Sequence, residues 1–307
     1  MSRILILHTG GLGDHIITLN YIYSIKISFP NHKIDLLCPR KFISVYFVYN
    51  VLVDSFYKHK NAKYDYFFDL SVANKLPINS QIDIKEFKFS VGFNKGLNYT
   101  YQIDCLSTLN IKKQYDKLLG LVPEFKFKST KSTFKDKSFP FLNKDSPKPI
   151  LIAPGSAVNY KIWPAERYSN IINTLVKKGE SNIILVGSSK DVSVGKKIEK
   201  NLKVQIRNLI GKTSISDLVF LVKNSKLIVS NDSAVQHIAE LENVPCIVLF
   251  GKTNPHVYGP DSKLSRIITP YDINLSNRLL AEEKDISLIK KKDVLLAISD
   301  VLKTLRG

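Results

Sequence analysis

The chain contains 307 residues, of which 44% are hydrophobic and 23% charged, as in ordinary globular proteins. This length is more than one typical hydrophobic core needs and predicts two domains. No apolar run approaches the roughly 18 residues of a membrane-spanning helix, and the N-terminus carries no secretory pattern. Cys38, Cys105 and Cys246 are too far apart for a zinc site or a disulfide framework, so we expect a cytoplasmic protein.

The net charge of +18 has two interpretations. Lysine-rich faces that simply meet solvent would explain it, and so would attraction to a polyanion such as an acidic lipid surface or a phosphorylated substrate. The sequence has neither zinc-finger spacing nor the basic and aromatic pattern of RNA-recognition strands. Nucleic acid is therefore the weaker candidate partner.

The first half of the chain alternates short apolar runs with helical patterns, as βα units do. Its predicted strands cover 3–8, 33–38, 53–57, 66–70 and 87–93, and its predicted helices cover 16–29, 41–50 and 106–120. Residues 129–149 are rich in Lys, Ser, Asp and Pro and lack periodicity, which predicts an interdomain linker.

The same alternation resumes after this linker. Predicted strands cover 150–153, 182–186, 227–229 and 244–250, and predicted helices cover 163–178, 191–202, 213–224, 234–241 and 291–305. The last helix carries one apolar stripe, made of Val294, Ile298, Val301 and Leu305. The predicted domains are 1–145 and 146–285, followed by a C-terminal helical segment, 286–307. One option for this segment is that it packs back towards the first domain.

These patterns predict an α/β architecture of two Rossmann-like domains that face each other across a central cleft. Ligands of parallel sheets collect at the carboxyl ends of the strands. Residues 227–260 make a complete βαβ unit with a polar cluster at the end of each strand. We therefore expect a binding site there.

A glycine-rich turn follows the first strand and leads to Asp14 at the start of a helix. It is not a dinucleotide fingerprint, because Ile16 stands where the third glycine belongs. Asp14 is either a helix cap favoured by the helix dipole or a carboxylate at the rim of the cleft. A cap alone does not need three glycines. Because Gly10, Gly11 and Gly13 carry no side chain, they leave room for a ligand to approach the backbone.

The loop after residue 153 carries Ser156 and Lys161. A lysine just before a helix is well placed to meet phosphate oxygens, and the alternative is a solvated loop side chain. Further on, Asp232 and Ser233 precede a helix whose first N–H groups form a ready anion site. His237 lies one turn into that helix, and its alternative interpretation is a core residue.

Together these motifs resemble glycosyltransferase family nine, the heptosyltransferases of lipopolysaccharide core assembly. The resemblance is carried by GGLGD after the first strand, by the APGS…K.WP loop, and by LIVSNDSAVQHIAEL with PCIVLFGKTNPHVYGP. It implies a GT-B fold and metal-independent, inverting transfer from a nucleotide-sugar donor, typically ADP-heptose, without a cofactor. The implied acceptor is an anionic glycolipid, and the positive charge then suits peripheral contact with the anionic inner face of the inner membrane.

The resemblance also implies residue roles. Asp14 matches the family's catalytic base, and the glycines beside it form the acceptor-side loop. The residues that match donor phosphate and sugar contacts are Ser156, Lys161, Asp232, Ser233, Ala234 and His237. A nucleotide pocket would include Gly187, Ser188, Asp191, Lys252 and Asn254.

Several positions depart from the family pattern. Ala234 replaces a glycine, Lys252 and Asn254 stand where proline and aspartate are usual, and Asn20 lies near a usual proline. These changes leave the identity of the donor's nucleobase and of its sugar undetermined. The alternatives are a family member with another nucleotide sugar or with a protein or capsule acceptor, a nucleotide-sugar epimerase or hydrolase of the same fold, and a non-catalytic binding protein.

Overall fold

The computed structural model describes residues 2–51, 53–56, 62–72, 82–93, 97–106, 109–132, 139, 141–142, 146–271 and 284–305. The chain divides into two compact units, 1–133 and 134–307. This division falls inside the segment predicted as a linker, 129–149, part of which lies outside the described residues. Among those residues, no helix combines the length and hydropathy that crossing a bilayer requires.

The first unit is a parallel sheet with helices packed on it. Its central strands are mostly apolar because parallel strands are covered on both faces. The described strands are β1 (Arg3–Leu7), β2 (Lys33–Leu37), β3 (Tyr66–Asp69), β4 (Phe89–Phe93) and β5 (Tyr101–Ile103), and the helices are α1 (Leu12–Ser28), α2 (Ile43–Val48) and α3 (Ile111–Leu119).

The strands of this sheet lie in the order β2-β1-β3-β4-β5. The chain therefore moves outward on opposite sides of β1, and the switch point lies between β1 and β3, where Leu7 is level with Asp69. Ligands of open α/β sheets bind at such a switch point, beyond the carboxyl ends of the strands. The loop that carries Asp14 begins there.

Two predicted elements of this unit differ from the structure, and one observed strand is new. In place of the strand 53–57, Ser55 makes an isolated bridge with Asp35, because the Asp54 carboxylate takes the N–H of Ile34 that a strand would use. The helix predicted from 106 begins at Ile111, capped by Asn110. Strand β5 was not predicted. Residues 57 and 107–108 of these predictions lie outside the described residues.

Asn20, where the family usually has proline, has a structural use here. Its Oδ1 accepts the N–H of Thr130 at 2.9 Å. One turn further along α1, the Ser24 hydroxyl donates to the Lys128 carbonyl and accepts its N–H. Side chains on one face of α1 thus hold the extended segment that leaves the unit.

The second unit is also a helix-covered parallel sheet. Its strands are β6 (Ile150–Ala153), β7 (Ile183–Leu185), β8 (Arg207–Asn208), β9 (Leu227–Asn231), β10 (Cys246–Leu249) and β11 (Arg266–Ile268). Its helices are α4 (Ala165–Lys177), α5 (Val192–Lys200), α6 (Ile215–Lys223), α7 (Ala234–Leu241), α8 (Pro255–Tyr258) and α9 (Lys291–Thr304). β8, β11 and α8 were not predicted.

The strands of the second sheet lie in the order β11-β10-β9-β6-β7-β8. This is the doubly wound order of dinucleotide-binding domains, with its switch point between β6 and β9. Both loops that the sequence marked as anion-binding, after β6 and after β9, begin at this switch point. The observed α/β architecture of two Rossmann-like units confirms the predicted fold class.

The last helix belongs to the core of the second unit. Val294, Ile298 and Val301 are buried with residues of β6, α4 and β9, whereas Leu305, at the end of the predicted stripe, is exposed. The indole N–H of Trp163 donates to the carbonyl of Ile289 just before α9. The buried stripe of this helix thus packs within the second unit, and the option that the segment 286–307 reaches back towards the first domain stays a prediction.

Candidate functional site

Asp14 caps the helix that it opens. Its Oδ2 accepts the N–H of Gly11 at 2.7 Å, and Gly11 is the N-cap residue of α1. A Cβ on Gly10 would lie 2.5 Å from the Asp14 Cβ, so the glycine there makes room for the aspartate itself. Gly13 lies in the first turn of the helix. The capping interpretation is thus observed, and the role of Asp14 as a base stays a prediction.

A buried histidine, which the sequence analysis missed, supports the Asp14 loop. The Nδ1 of His8 accepts the N–H of Gly10 at 3.3 Å, so its Nε2 carries the proton and donates to the Asp14 carbonyl at 3.3 Å. His8 also stacks on the ring of His15 at 4.1 Å, and His15 bonds the Tyr46 hydroxyl. The sequence signal that could have identified His8 was a polar residue directly after the apolar strand β1.

His15 is expected to make the protein less stable in mild acid. Burial, and then the neighbouring His8, lowers the pKa of His15 from 6.5 to about 2. Above pH 6.5 His15 is neutral in both the folded and the unfolded chain and does not change the free energy of unfolding. Below pH 6.5 the unfolded chain binds a proton that the folded chain excludes. The free energy of unfolding should therefore fall by about 1.4 kcal/mol per pH unit in that range. Urea unfolding at a series of pH values measures this slope.

The substitution His15→Gln should flatten that slope, because an amide can still bond Tyr46 and does not titrate. His256 is exposed on α8 and supplies the control. His256→Gln should keep the wild-type slope. An unchanged slope in His15→Gln would contradict the lowered pKa.

A second carboxylate lies at the switch point of the first sheet. Asp69 ends β3; its Oδ1 accepts the N–H of Ser71 and its Oδ2 accepts the Tyr99 hydroxyl, at 2.9 and 2.8 Å. Ser71 in turn accepts the N–H of Thr9 in the Asp14 loop. Burial, and then Asp69, raises the pKa of Tyr99. The sequence analysis missed Asp69, although an acidic residue ending a strand beside the glycine loop was a usable signal.

In the second unit, the structure brings Lys161 and Asp232 together. Lys161 Nζ donates to Asp232 Oδ2 at 2.6 Å, and the side chains are 19% and 7% exposed. The other oxygen, Oδ1, accepts the amide of Gln236 at 2.9 Å. The sequence placed Lys161 and Asp232 in one site but gave no sign that they pair, and it missed Gln236.

The surroundings of this pair explain its position. Asn231 is fully buried: its amide donates to the Pro154 carbonyl at 2.7 Å, and its Oδ1 accepts the Tyr168 hydroxyl. The two loops at the switch point are thereby tied to each other. The Ser156 hydroxyl adds a bond to the Asp232 carbonyl at 3.3 Å.

Helix α7 begins at this place. Ser233 is its N-cap residue and accepts the N–H of Val235 at 3.4 Å. Ala234 is its first residue and is half-buried. His237 is 9% exposed, which fits both interpretations of this residue. The positive end of the helix dipole thus lies beside the Lys161–Asp232 pair.

Asp191 acts as a cap in the structure. Its Oδ2 accepts both the N–H and the hydroxyl of Ser188, at 2.8 and 2.7 Å. A Cβ on Gly155 would lie 2.1 Å from its Cγ, and one on Gly187 would lie 3.2 Å from its Oδ2. The buried carboxylate thus joins the loops after β6 and β7. Its contact with a nucleotide stays a prediction.

The loop after β10 contains two of the departures from the family pattern, Lys252 and Asn254. Asn254 caps α8 by accepting the N–H of His256 at 2.9 Å. Lys252 is exposed. Hydrogen bonds from Ser287, and then the charge of Lys252, lower the pKa of Asp285. Lys252 therefore lies close to the segment that leads to α9.

The arrangement of the second unit suits a ligand with both anionic and hydroxyl groups. A lysine and a helix N-terminus supply positive charge, and a carboxylate beside them accepts hydroxyl protons. All of these groups lie at the switch point, between β6 and β9. In the first unit, the corresponding place holds the Asp14 loop.

Known proteins resemble the chain in sequence. The profile of glycosyltransferase family 9 (heptosyltransferase) matches residues 108–283. Lipooligosaccharide heptosyltransferase 2 of Haemophilus influenzae is 38% identical over 112 residues, which are 35% of this chain and 32% of that protein. The chain thus matches about a third of the length of this relative.

Solved structures match the chain over nearly its full length. The glycosyltransferase family 9 protein of Veillonella parvula has a TM-score of 0.79 at 18% identity, covering 99% of this chain and 98% of that one. The Escherichia coli ADP-heptose lipopolysaccharide heptosyltransferase II has a TM-score of 0.73 at 19% identity, covering 99% and 100%. These likenesses show that the fold is GT-B.

Proposed function

The chain belongs to glycosyltransferase family 9, the heptosyltransferase family, and from this premise we propose that it transfers a heptose from ADP-heptose to a lipopolysaccharide core acceptor. The observation that carries the proposal is the Lys161–Asp232 pair beside the start of α7, at the switch point of the second sheet. A similar structure is that of an ADP-heptose enzyme, which supports this donor.

The proposed reaction is a single displacement that inverts the anomeric carbon. Asp14 takes the proton of the acceptor hydroxyl as that oxygen attacks the anomeric carbon. The bond from this carbon to the diphosphate oxygen breaks, and the nucleoside diphosphate leaves with the electron pair. The cap between Asp14 and Gly11 and the bonds from His8 support this role, because they fix the loop that carries the carboxylate.

Charge on the leaving diphosphate requires stabilisation. We propose that Lys161 and the first N–H groups of α7 provide it without a metal ion. Ser156, Ser233 and Ala234 line the same place, and Asp232 orients the sugar by accepting its hydroxyl protons. His237, Gly187, Ser188, Asp191, Lys252 and Asn254 complete the proposed donor side.

The test is binding of a panel of donors by calorimetry, followed by turnover with a core acceptor. We expect ADP-heptose to bind more tightly than UDP- and GDP-sugars, and product to form only when an acceptor is present. Release of free sugar without an acceptor would indicate a hydrolase instead. Equal affinity for all nucleotide sugars would contradict the choice of ADP-heptose.

The net charge of +18 supports a further part of the proposal, namely work at the cytoplasmic face of an anionic membrane. We expect the protein to sediment with vesicles that contain anionic lipid and not with neutral vesicles. The bound fraction should fall as salt rises from about 50 to about 300 mM, because ions screen surface charges. Binding that does not change with salt would contradict this prediction.

A further inference from the structure

The two oxygens of Asp232 have different partners. Oδ2 accepts the Lys161 ammonium at 2.6 Å, and Oδ1 accepts the Gln236 amide at 2.9 Å. Asp232 and Gln236 are four residues apart, so they stand one helical turn from each other at the start of α7. Gln236 is fully buried and Asp232 is 7% exposed.

The orientation of the Gln236 amide is set by the carboxylate. A carboxylate only accepts hydrogen bonds, so the NH₂ group must face Asp232. The opposite atom, Oε1, then finds no donor among the residues that the structure describes, although it is buried. An apolar side chain would avoid that loss. Among the described residues, the contact with Asp232 is therefore the interaction that accounts for an amide here.

In this structure Lys161 is held by Asp232. Its ammonium has three N–H donors, and each one that turns towards a phosphate weakens its hold on the carboxylate. A nearly buried carboxylate that loses its cation needs another donor, because an unpaired buried charge is strongly disfavoured. Gln236 is already bonded to Oδ1, so it is the donor that stays on the carboxylate when Lys161 turns away.

We infer that Gln236 is a positioning residue for the donor site: it retains the Asp232 carboxylate while Lys161 moves to the diphosphate. Asp232 Oδ2 is then released to accept a sugar hydroxyl. The inference rests on the proposed function, since it requires a nucleotide-diphosphate donor at this place. Without the amide, Asp232 would hold Lys161 more tightly and the donor would compete less well for it.

Two substitutions separate this role from simple packing. Gln236→Met keeps the length of the side chain and removes the hydrogen bond, so the KM for the donor should rise about tenfold or more at every pH, with a smaller change in kcat. Gln236→Glu places a second carboxyl 2.9 Å from the first, the distance of the present bond. While protonated, that carboxyl donates to Asp232 as the amide does. Once ionised, it repels Asp232.

The donor KM of Gln236→Glu should therefore be near the wild-type value at about pH 5.5 and about tenfold or more above it at about pH 8. The other titratable groups on α7, on the adjoining turns, on the loop after β6 and on the packed helix α6 are the same in every variant: Lys161, Asp232, His237, Glu240, Glu242, Asp217 and Lys223. Gln205 is exposed in the same unit, and Gln205→Glu is the control for an added charge. It should keep the wild-type profile.

Thermal unfolding without any ligand tests the contact separately. The Tm of Gln236→Glu should fall further below that of the wild type as the pH rises, and a constant difference would overturn the contact. If the wild type binds donor and both variants keep its KM within about twofold, the positioning role is wrong. If the wild type binds no nucleotide sugar, the proposed function fails and the donor role fails with it, while the Tm series still decides the contact.

Discussion

Asp14→Asn is expected to lower kcat by about 10²–10⁴-fold, with donor affinity almost unchanged. An amide cannot take the proton of the acceptor hydroxyl. It can still cap α1, because its oxygen accepts the Gly11 N–H as the carboxylate does at 2.7 Å. The measurement is turnover at saturating donor and acceptor, with calorimetry of donor binding and the Tm as checks on the fold.

The chain offers a matched control for this substitution. Asp217 has the same place in α6 as Asp14 has in α1, three residues after the N-cap, and its Oδ2 accepts the Ser214 N–H at 2.8 Å. Asp217→Asn should change stability as Asp14→Asn does and leave kcat at the wild-type value. If Asp14→Asn also turned over at the wild-type rate, Asp14 would be a cap and not the base.

Lys161→Met is expected to raise the KM for the donor roughly tenfold to a hundredfold. The substitution removes a charge-assisted hydrogen bond to phosphate, which is worth about 1.5–3 kcal/mol. It also leaves Asp232 without its cation, so the Tm should fall. The double variant Lys161→Met/Asp232→Asn should recover part of the stability, because the carboxylate is then neutral, but should not recover donor affinity.

The Lys226–Glu180 ion pair is a control in the same unit. Its side chains are 28% and 7% exposed, close to the 19% and 7% of the Lys161–Asp232 pair. Lys226→Met should lower the Tm by a comparable amount and leave the donor KM unchanged. A donor KM that rises equally in both variants would show that general destabilisation causes the effect.

The fold was predictable because its signals are local. Parallel strands such as β6 and β9 are buried on both faces and read as continuous apolar runs, and turn residues separate them from amphipathic helices. Short edge strands such as β8 and β11 bury little and have no such pattern. Strand order was not visible in the sequence, although it decides which loops meet.

For the candidate site, the sequence indicated the loops but not the contacts. Lys161 and Asp232 were each marked by their place at the end of a strand, yet their pairing depends on the adjacency of β6 and β9. Gln236 resembled one more helix residue until its amide was found on Asp232. Capping aspartates are also hard to tell apart from the sequence. Asp14 and Asp217 both lie three residues after the N-cap of a helix, and of the two only Asp14 follows the first strand of a sheet.

The bond from Gly11 to Asp14 gives the proposed base a built-in reporter. Gly11 is exposed, and its N–H lies 2.7 Å from Asp14 Oδ2. The proton chemical shift of an amide depends on the charge of the oxygen that it faces. Nuclear magnetic resonance of selectively labelled glycine would therefore follow ionisation of Asp14 through a backbone signal, without any change to the carboxylate. Arrival of an acceptor hydroxyl at Asp14 would move the same signal.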